Sequence, residues 1–235
     1  MRSVVIVQHE PSVPAGCIRD VLVEDGIEHR VIEAWHESTW PEPADMGAVV
    51  VMGGTMNVDE LDRYPFLARS RHLMADALDH DIPTLGVCLG SQMMARVLGA
   101  EVYRAPRRTA TFSGLKLTDE GADDRVLAPF ATGLPVLQFH EDTLDIPEDA
   151  VALATSDSSG LSQAFRYGTS AYAIQFHFEV DDAILNGWTR AIGSDAMRDQ
   201  WGITEEALAS QASGHLAAQT AAGKQLVRNF LAVVL

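Results

Sequence analysis

The chain has 235 residues, which is enough for one good-sized hydrophobic core and short for two independent domains. Hydrophobic residues make up 47% and charged residues 21%, proportions typical of a globular protein and unlike those of a disordered one. The formal net charge of −16 would repel phosphate backbones and anionic lipid surfaces, so neither a nucleic acid nor a membrane is expected as a partner.

The cysteine content and the apolar segments indicate an intracellular setting. The two cysteines, Cys17 and Cys88, are too few for a disulfide framework. The first apolar run, Val4–Val7, is too short for the core of a signal peptide, and nothing in the sequence is long and apolar enough to span a bilayer. We therefore expect a cytoplasmic, reducing environment, in which a lone thiol can remain a nucleophile.

Strand-like and helical segments alternate in the first part of the chain. The predicted strands are Ser3–Val7, Arg30–Glu33, Ala48–Met52 and Ile82–Val87, and the predicted helices are Cys17–Glu24, Phe66–Leu78 and a segment from Leu89 to the cap at Gly99. Such alternation favours parallel strands that are joined by crossover helices.

The middle of the chain, roughly Glu101 to Phe176, has a different pattern of short strand-like pieces between turn residues. These pieces are Glu101–Tyr103, Val136–Phe139, Val151–Leu153 and Ala171–Phe176. We predict that they are mostly antiparallel additions to the same sheet, and that the chain is helical from Glu179 to Leu235. The expected fold is α/β, with three layers: an open, mainly parallel sheet with helices on both faces, in one domain over residues 1–235.

Cys88 lies between two glycines, in the sequence Gly-Val-Cys-Leu-Gly at 86–90, where a buried strand meets a helix. This arrangement is the sulfur version of the nucleophile elbow, a sharp turn that flanking glycines make possible. The start of the following helix favours a thiolate, and the backbone N–H of Leu89 would face an oxyanion on the attacked carbonyl. The alternative is a buried structural cysteine, which is our interpretation of Cys17.

Two histidines compete for the role of the general base. His177 and Glu179 follow an apolar strand, and on an extended segment residues two positions apart face the same side, so the carboxylate could orient the imidazole. His140 also follows a short apolar strand and has Asp142 two positions on. The spacing alone leaves both histidines open. The other histidines are expected to be exposed to solvent; they are His9, His29, His36, His72, His80 and His215.

A second pair of glycines, Gly53 and Gly54, closes the strand that ends at Met52. Glycines at the carboxyl end of a strand let backbone N–H groups approach a ligand at the edge where open α/β sheets bind them. We assign Gly54 as the second oxyanion donor; the alternative is a glycine turn without a ligand. No metal-ligand spacing, phosphate loop or dinucleotide fingerprint occurs, so no metal or cofactor is expected.

Together these motifs resemble those of class I glutamine amidotransferases, and most closely the stand-alone, GMP-synthase-like subgroup. The motifs are Gly53-Gly54, then Gly-Val-Cys-Leu-Gly-Ser-Gln at 86–92, and Phe-His-Phe-Glu at 176–179. The resemblance implies the flavodoxin-like fold of that family and makes His177 and Glu179 the catalytic pair rather than His140. It also implies that Gln92 and backbone near Gly54 hold the substrate. Two features depart from the family pattern: Phe178 replaces the usual proline, and residues 109–114 lack a Glu-Ile-Gly-Trp sequence.

The resemblance implies an enzyme without a cofactor, in which Cys88 forms a thioester with glutamine and ammonia passes to a separate synthetase protein. One alternative is a γ-glutamyl peptidase or hydrolase, which uses the same thioester on a γ-glutamyl conjugate and needs no partner. A non-catalytic binding module is a further alternative, against which the intact set of Cys88, His177 and Glu179 argues.

Overall fold

The computed structural model of the protein describes residues 3–37 and 39–234, with Val234 described by its backbone alone. The strands are β1 (Ser3–Gln8), β2 (His29–Glu33), β3 (Met46–Val51), β4 (Thr84–Val87), β5 (Val102–Ser113), β6 (Leu115–Leu117), β7 (Val136–Leu144), β8 (Ala150–Ser156), β9 (Ser162–Tyr167) and β10 (Ala171–Ile174). The helices are α1 (Cys17–Glu24), α2 (Phe66–Asp79), α3 (Leu89–Val97), α4 (Asp119–Asp123), α5 (Asp182–Ile192), α6 (Ser194–Trp201) and α7 (Glu205–Val234).

Eight strands form one sheet in the order β2-β1-β3-β4-β10-β9-β8-β6. The pairs from β2 to β10 are parallel, whereas β9, β8 and β6 add to the sheet in antiparallel fashion. Helices cover both faces: α1 and the end of α7 pack on one, and α2 and α3 on the other. The predicted open, mainly parallel sheet with helices on both faces is therefore confirmed.

The first strand shows why an uninterrupted apolar run suits the middle of this sheet. Val4 and Ile6 face α1 and α7, while Val5 and Val7 face α2 and α3. A strand that is buried on both sides has no polar face, so the alternation of apolar and polar residues seen at solvent-facing sheets is missing.

The register of the three central parallel strands brings their carboxyl ends to one edge. Val51 of β3 pairs with Gly86 of β4, and Ile174 of β10 pairs with Val87 of β4. The segments that follow these strands, which begin at Met52, Cys88 and Gln175, therefore leave the sheet side by side. In open α/β sheets this edge is where ligands bind.

The prediction that the strand-like pieces of the middle region are mostly antiparallel additions to the main sheet does not hold for two of them. Among the described strands, β5 and β7 pair with each other alone and form a separate antiparallel ribbon. Phe112 and Phe139 of this ribbon pack into a third hydrophobic cluster with α5, α6 and the first half of α7. The aromatic residues of the C-terminal helices thus supply a partner for these strands that the sheet does not.

The prediction that Ala171–Phe176 is one of the antiparallel additions is only half right, and the strand ends earlier, at Ile174. The strand is antiparallel to β9 but parallel to β4, and all four of its residues are buried. It can occupy the sheet interior because both of its faces are apolar or small. The sequence did not predict β6 or β9.

The helical prediction after Glu179 is confirmed by α5, α6 and α7, the last of which ends at Val234. Leu235 lies outside the described residues. Within the described part of the chain, no helix combines the length and apolar character that crossing a bilayer requires.

Gly90 allows the first turn of α3 to lie directly against β3, since a Cβ there would be 1.9 Å from the carbonyl oxygen of Val51. We expect Gly90→Ala to lower the free energy of unfolding by about 1–3 kcal/mol, the usual cost of overpacking a core. Gly214→Ala is the matched control, because a Cβ at this helical glycine meets nothing within 4 Å. It should stabilise the protein by about 0.5–1 kcal/mol. Urea denaturation measures both; a Gly90→Ala variant as stable as the wild type would contradict the packing argument.

Candidate active site

Cys88 occupies a strained turn between β4 and α3. Its φ of 49° lies in the left-handed region that non-glycine residues avoid. Hydrogen bonds hold the turn: the Cys88 N–H donates to Ile174 O at 2.8 Å, and Cys88 O accepts from Ser91 Oγ at 2.7 Å. Gly86 must lack a side chain, because its Cβ would lie 2.5 Å from Gly90 O. The structure therefore has the nucleophile-elbow geometry that the glycines predicted.

The Cys88 side chain is largely buried but reaches an open cavity of about 660 Å³. Gly54, Gln92 and His177 line the same cavity. Leu89 lies beside Gly54, since a Cβ at Gly54 would be 2.9 Å from Leu89 Cδ2. All the residues that the sequence singled out for the site are thus brought together, apart from Glu179, which lies behind His177.

The His177 imidazole links Glu179 to Cys88. Its Nδ1 lies 2.8 Å from Glu179 Oε1, and both side chains are buried. Burial alone would lower the pKa of His177, but the negative charges of Glu179 and Cys88, with hydrogen bonds to both, outweigh it and raise the pKa to about 10. Because Nδ1 contacts Glu179, the other ring nitrogen, Nε2, is the one that remains for Cys88. The arrangement is that of a thiol, an imidazole and a carboxylate that orients the imidazole.

Three neighbours that the sequence did not single out fix the position of His177. Trp188 of α5 packs edge-on against the imidazole, at 4.8 Å between ring centroids. Gln219 of α7 donates to His177 O at 3.0 Å and accepts from Leu137 N at 2.5 Å. The His177 N–H in turn donates to Leu137 O at 2.8 Å. A buried glutamine in a long helix has no sequence signal of its own, because its partners lie far along the chain.

The backbone of Glu179 is fixed by the start of α1. The Cys17 N–H donates to Glu179 O at 2.9 Å, and Gly16 permits the approach, since a Cβ there would be 2.0 Å from that oxygen. Cys17 itself does not line the cavity that Cys88 reaches. Burial, with the charge of Glu179, raises the pKa of the Cys17 thiol. Cys17 therefore has the environment of a structural cysteine, as predicted.

The two predicted oxyanion donors are free to bind a ligand. Neither the Gly54 N–H nor the Leu89 N–H has a hydrogen-bond partner among the described residues, whereas the next amide, that of Thr55, donates to Glu10 Oε1 at 2.6 Å. Gly53 lies next to both His177 and Cys88, because a Cβ added there would be 3.3 Å from His177 Cε1 and 3.5 Å from Cys88 Cβ. Any side chain at Gly53 would crowd the space between the thiol and the imidazole.

Gln92 and Gln175 form a buried amide pair beside the thiol. Gln92 Nε2 donates to Gln175 Oε1 at 3.2 Å and to Asp142 O at 3.3 Å. Gln175 Nε2 lies 3.5 Å from Cys88 Sγ, a hydrogen bond to sulfur. Gln175 was not among the predicted site residues. Its position, directly after β10 and before the 176–179 motif, was the available signal.

The rival histidine, His140, has a different role in the structure. It lines the cavity on β7, but Nδ1 donates to the backbone Asp142 O at 3.0 Å rather than to a carboxylate. Its Nε2 lies 3.4 Å from Gln163 Nε2. Burial and the nearby charge of His177 together lower the pKa of His140 to about 4, and the hydrogen bond to Asp142 O offsets only part of this effect. His140 is thus a neutral side chain near the site, without an orienting carboxylate.

The prediction that His9 is exposed to solvent is wrong, because its side chain is fully buried. Its Nδ1 lies 3.1 Å from Met52 O and 3.3 Å from Gly53 O, and Nε2 lies 3.2 Å from Ser70 Oγ. Burial lowers the pKa of His9 to about 4, so it is neutral. The carbonyl groups at the end of β3 need a donor once they leave the sheet, and His9 supplies it beneath the glycine turn.

Residues 17–183 match the family model described as glutamine amidotransferase class-I. Among curated proteins, the chain is 28% identical over 154 residues to the glutamine amidotransferase-like protein YfeJ of Salmonella typhimurium, covering 64% of each chain and so just under two thirds of that relative. It is 28% identical over 163 residues to a glutamine-hydrolysing GMP synthase subunit of Thermoplasma volcanium, covering 68% of this chain and 75% of that one.

Solved structures give the same picture across nearly the whole length. A glutamine amidotransferase from Thermotoga maritima superposes with a TM-score of 0.86 and 28% identity, covering 98% of each chain. A glutamine amido transferase from Methylobacillus flagellatus has a TM-score of 0.87, covering 100% of this chain and 96% of that one, and its 22% identity supports the fold alone.

The raised pKa of His177 predicts a specific dependence of stability on pH. The imidazolium contributes stability that is fully present below its ordinary pKa of 6.5 and is lost as the pH rises through about 10. We expect Glu179→Gln to lower the imidazole titration midpoint, because it removes the largest contribution that raises the pKa. NMR titration of His177 measures the midpoint, and denaturation between pH 6.5 and 10 measures the stability.

Glu28→Gln is the control for this prediction, because Glu28 is an exposed glutamate outside the cavity. It should leave both the midpoint and the pH profile unchanged. A wild-type imidazole that titrates near its ordinary value would refute the charged pair.

Proposed function

We propose that this chain, which belongs to the class I glutamine amidotransferase family of cysteine-nucleophile amidohydrolases, releases ammonia from the side-chain amide of glutamine through a thioester on Cys88. The observation that carries the proposal is the contact of His177 with both Glu179 and Cys88 beneath an open cavity. Each of these groups has a role in one step of the reaction.

The first half of the reaction forms the thioester. The Cys88 thiolate attacks the γ-carbonyl carbon of glutamine, and the oxygen that becomes negative is placed towards the free N–H groups of Leu89 and Gly54. The carbon–nitrogen bond then breaks, and the departing nitrogen takes a proton from the His177 imidazolium to leave as ammonia. Glu179 keeps the imidazole in place and balances its charge while the proton is held.

The second half regenerates the thiolate. A water molecule attacks the thioester carbonyl while the now neutral His177 accepts its proton. The carbon–sulfur bond breaks, glutamate leaves, and Cys88 departs as the thiolate beside the restored imidazolium. Gln175, which donates to Cys88 Sγ, supports the sulfur whenever it carries the negative charge.

The acceptor of the ammonia is proposed to be a separate protein. The relative from Thermoplasma volcanium is named as one subunit of a GMP synthase, and this chain aligns with 75% of it. By analogy, this chain would deliver ammonia to a synthetase with which it associates.

A second candidate is the hydrolysis of γ-glutamyl conjugates, which one observation favours. The cavity of about 660 Å³ falls in the range that holds drug-sized ligands, whereas glutamine is much smaller. A substrate with a larger amine in place of ammonia would use the same thioester and the same residues. Parallel assays of free glutamine and of γ-glutamyl peptides separate the two functions. Negligible glutamine turnover, even with cell lysate as a source of acceptor, would count against the amidotransferase.

The Cys88 mechanism predicts a sharp difference between the two cysteines. We expect Cys88→Ala to lower the turnover of glutamine, or of a γ-glutamyl amide, by at least about 10³-fold with little change in the free energy of unfolding. The matched Cys17→Ala variant should keep measurable turnover, because its thiol lies outside the cavity. Mass spectrometry after treatment with an electrophilic glutamine analogue should find the label on Cys88 alone. Turnover that survives Cys88→Ala, or labelling of Cys17, would exclude the mechanism.

A further inference from the structure

A second cavity, of about 560 Å³, opens beside the catalytic one. The two share part of their lining: Arg104, Arg108, Gln200 and Trp201 contribute to both. We call the second cavity, with its three arginines at 104, 107 and 108, the arginine groove. The two cavities therefore adjoin each other along these four shared side chains, and Arg107 lines the second cavity alone.

A large bulge in β5 creates the arginine groove. Arg104 pairs with Asp142 of β7 and Thr109 pairs with His140, so residues 105–108 stand opposite Glu141 alone. Bulges of this kind occur next to active sites, where they redirect side chains away from the regular ladder. The bulge thus places a run of arginine side chains at the mouth of the site.

Two of the three arginines are held in place by neighbouring groups. Arg104 forms ion pairs with Glu141 and, at 3.5 Å, with Asp142 Oδ1. Arg108 lies 3.2 Å from Glu141 Oε1, donates to Gln200, and has its guanidinium 5.6 Å from the centre of the Trp201 ring. These contacts hold the walls of the groove in place, and the paired carboxylates neutralise much of the positive charge of Arg104 and Arg108.

Arg107 is different, because it is exposed and has no hydrogen bond or ion pair with any described residue. The carboxylate that lines the same cavity, that of Asp199, is paired with Arg198 at 2.9 Å, so Arg107 is an unpaired cation there in a chain of net charge −16. The long-range field of the protein repels anions, but at physiological salt it is screened beyond about 8 Å. An anionic group that is already held close to Arg107 would therefore be attracted by it.

We propose that the arginine groove binds the amine portion of γ-glutamyl conjugates that carry a carboxylate on that portion, with Arg107 as the residue that selects for the anion. This inference rests on the thioester chemistry proposed for Cys88. The γ-carbonyl is attacked, the carbon–nitrogen bond breaks, and the amine takes its proton from His177 and leaves as a free amino acid or peptide. Water then releases glutamate from Cys88.

A pair of matched substrates tests the groove. γ-Glutamyl-glycine and γ-glutamyl-glycinamide have the same size and differ in the charge of the terminal group. We expect wild-type kcat/KM to be about five- to tenfold higher for the carboxylate, mainly through a lower KM. Arg107→Ala should abolish this preference by slowing the carboxylate substrate alone, and Arg107→Lys should retain part of it. Arg19→Ala, at an exposed arginine that lines neither cavity, is the control and should retain the preference.

Binding to the Cys88→Ala protein separates the groove from the chemistry. Calorimetric titration should give a Kd for γ-glutamyl-glycine about five- to tenfold lower than that for the glycinamide, and Arg107→Ala should equalise the two. This preference without turnover in the parent protein would support the groove and refute the Cys88 reaction. Turnover of both substrates with equal kcat/KM would refute the groove alone. An Arg107→Ala effect of the same size on both substrates would also overturn the inference, because Arg107 would then contact the shared glutamyl part.

Discussion

The contact between the His177 imidazole and the Glu179 carboxylate, both withdrawn from solvent, is the constraint that the rest of the site satisfies. Removing one partner of a buried charged pair typically costs about 3–5 kcal/mol, because the other is left without compensation. Such a pair is tolerable only where the backbone cannot move. Here, hydrogen bonds from Cys17 and Gln219 hold the carbonyl groups of Glu179 and His177. The strain stored at Cys88 can persist in the same way, because its neighbours leave it no relaxed alternative.

The parts of the site that the sequence predicted are those whose signals are local. The glycines around Cys88 mark a turn that only small residues permit. The two-residue spacing of a histidine and an acidic residue narrowed the base to His177 or His140, and only the resemblance to a known family chose His177. The contributions of Gln219 and Trp188 had no such signal, because the atoms that they contact belong to distant segments. The wrong prediction for His9 has a related reason: polar neighbours in the sequence hide the fact that the end of β3 folds over it.

The fold was predictable to a similar degree. Parallel strands with crossover helices leave a clear periodic pattern, whereas the middle region required knowledge of what covers each strand. β5 and β7 pack instead on apolar side chains of α5, α6 and the first half of α7. The overall composition did not predict the local distribution of charge, because this strongly acidic chain has three of its arginines at one bulge.

The bond from Gln219 to His177 has a consequence for biosynthesis. Gln219 lies 42 positions beyond the histidine that it supports, and within a helix that reaches Val234. A polypeptide still emerging from the ribosome can pair its parallel strands before that helix exists, but the His177 carbonyl group then lacks its hydrogen bond from Gln219. This support of the His177 backbone depends on the synthesis of α7, and a product terminated before that helix would lack it.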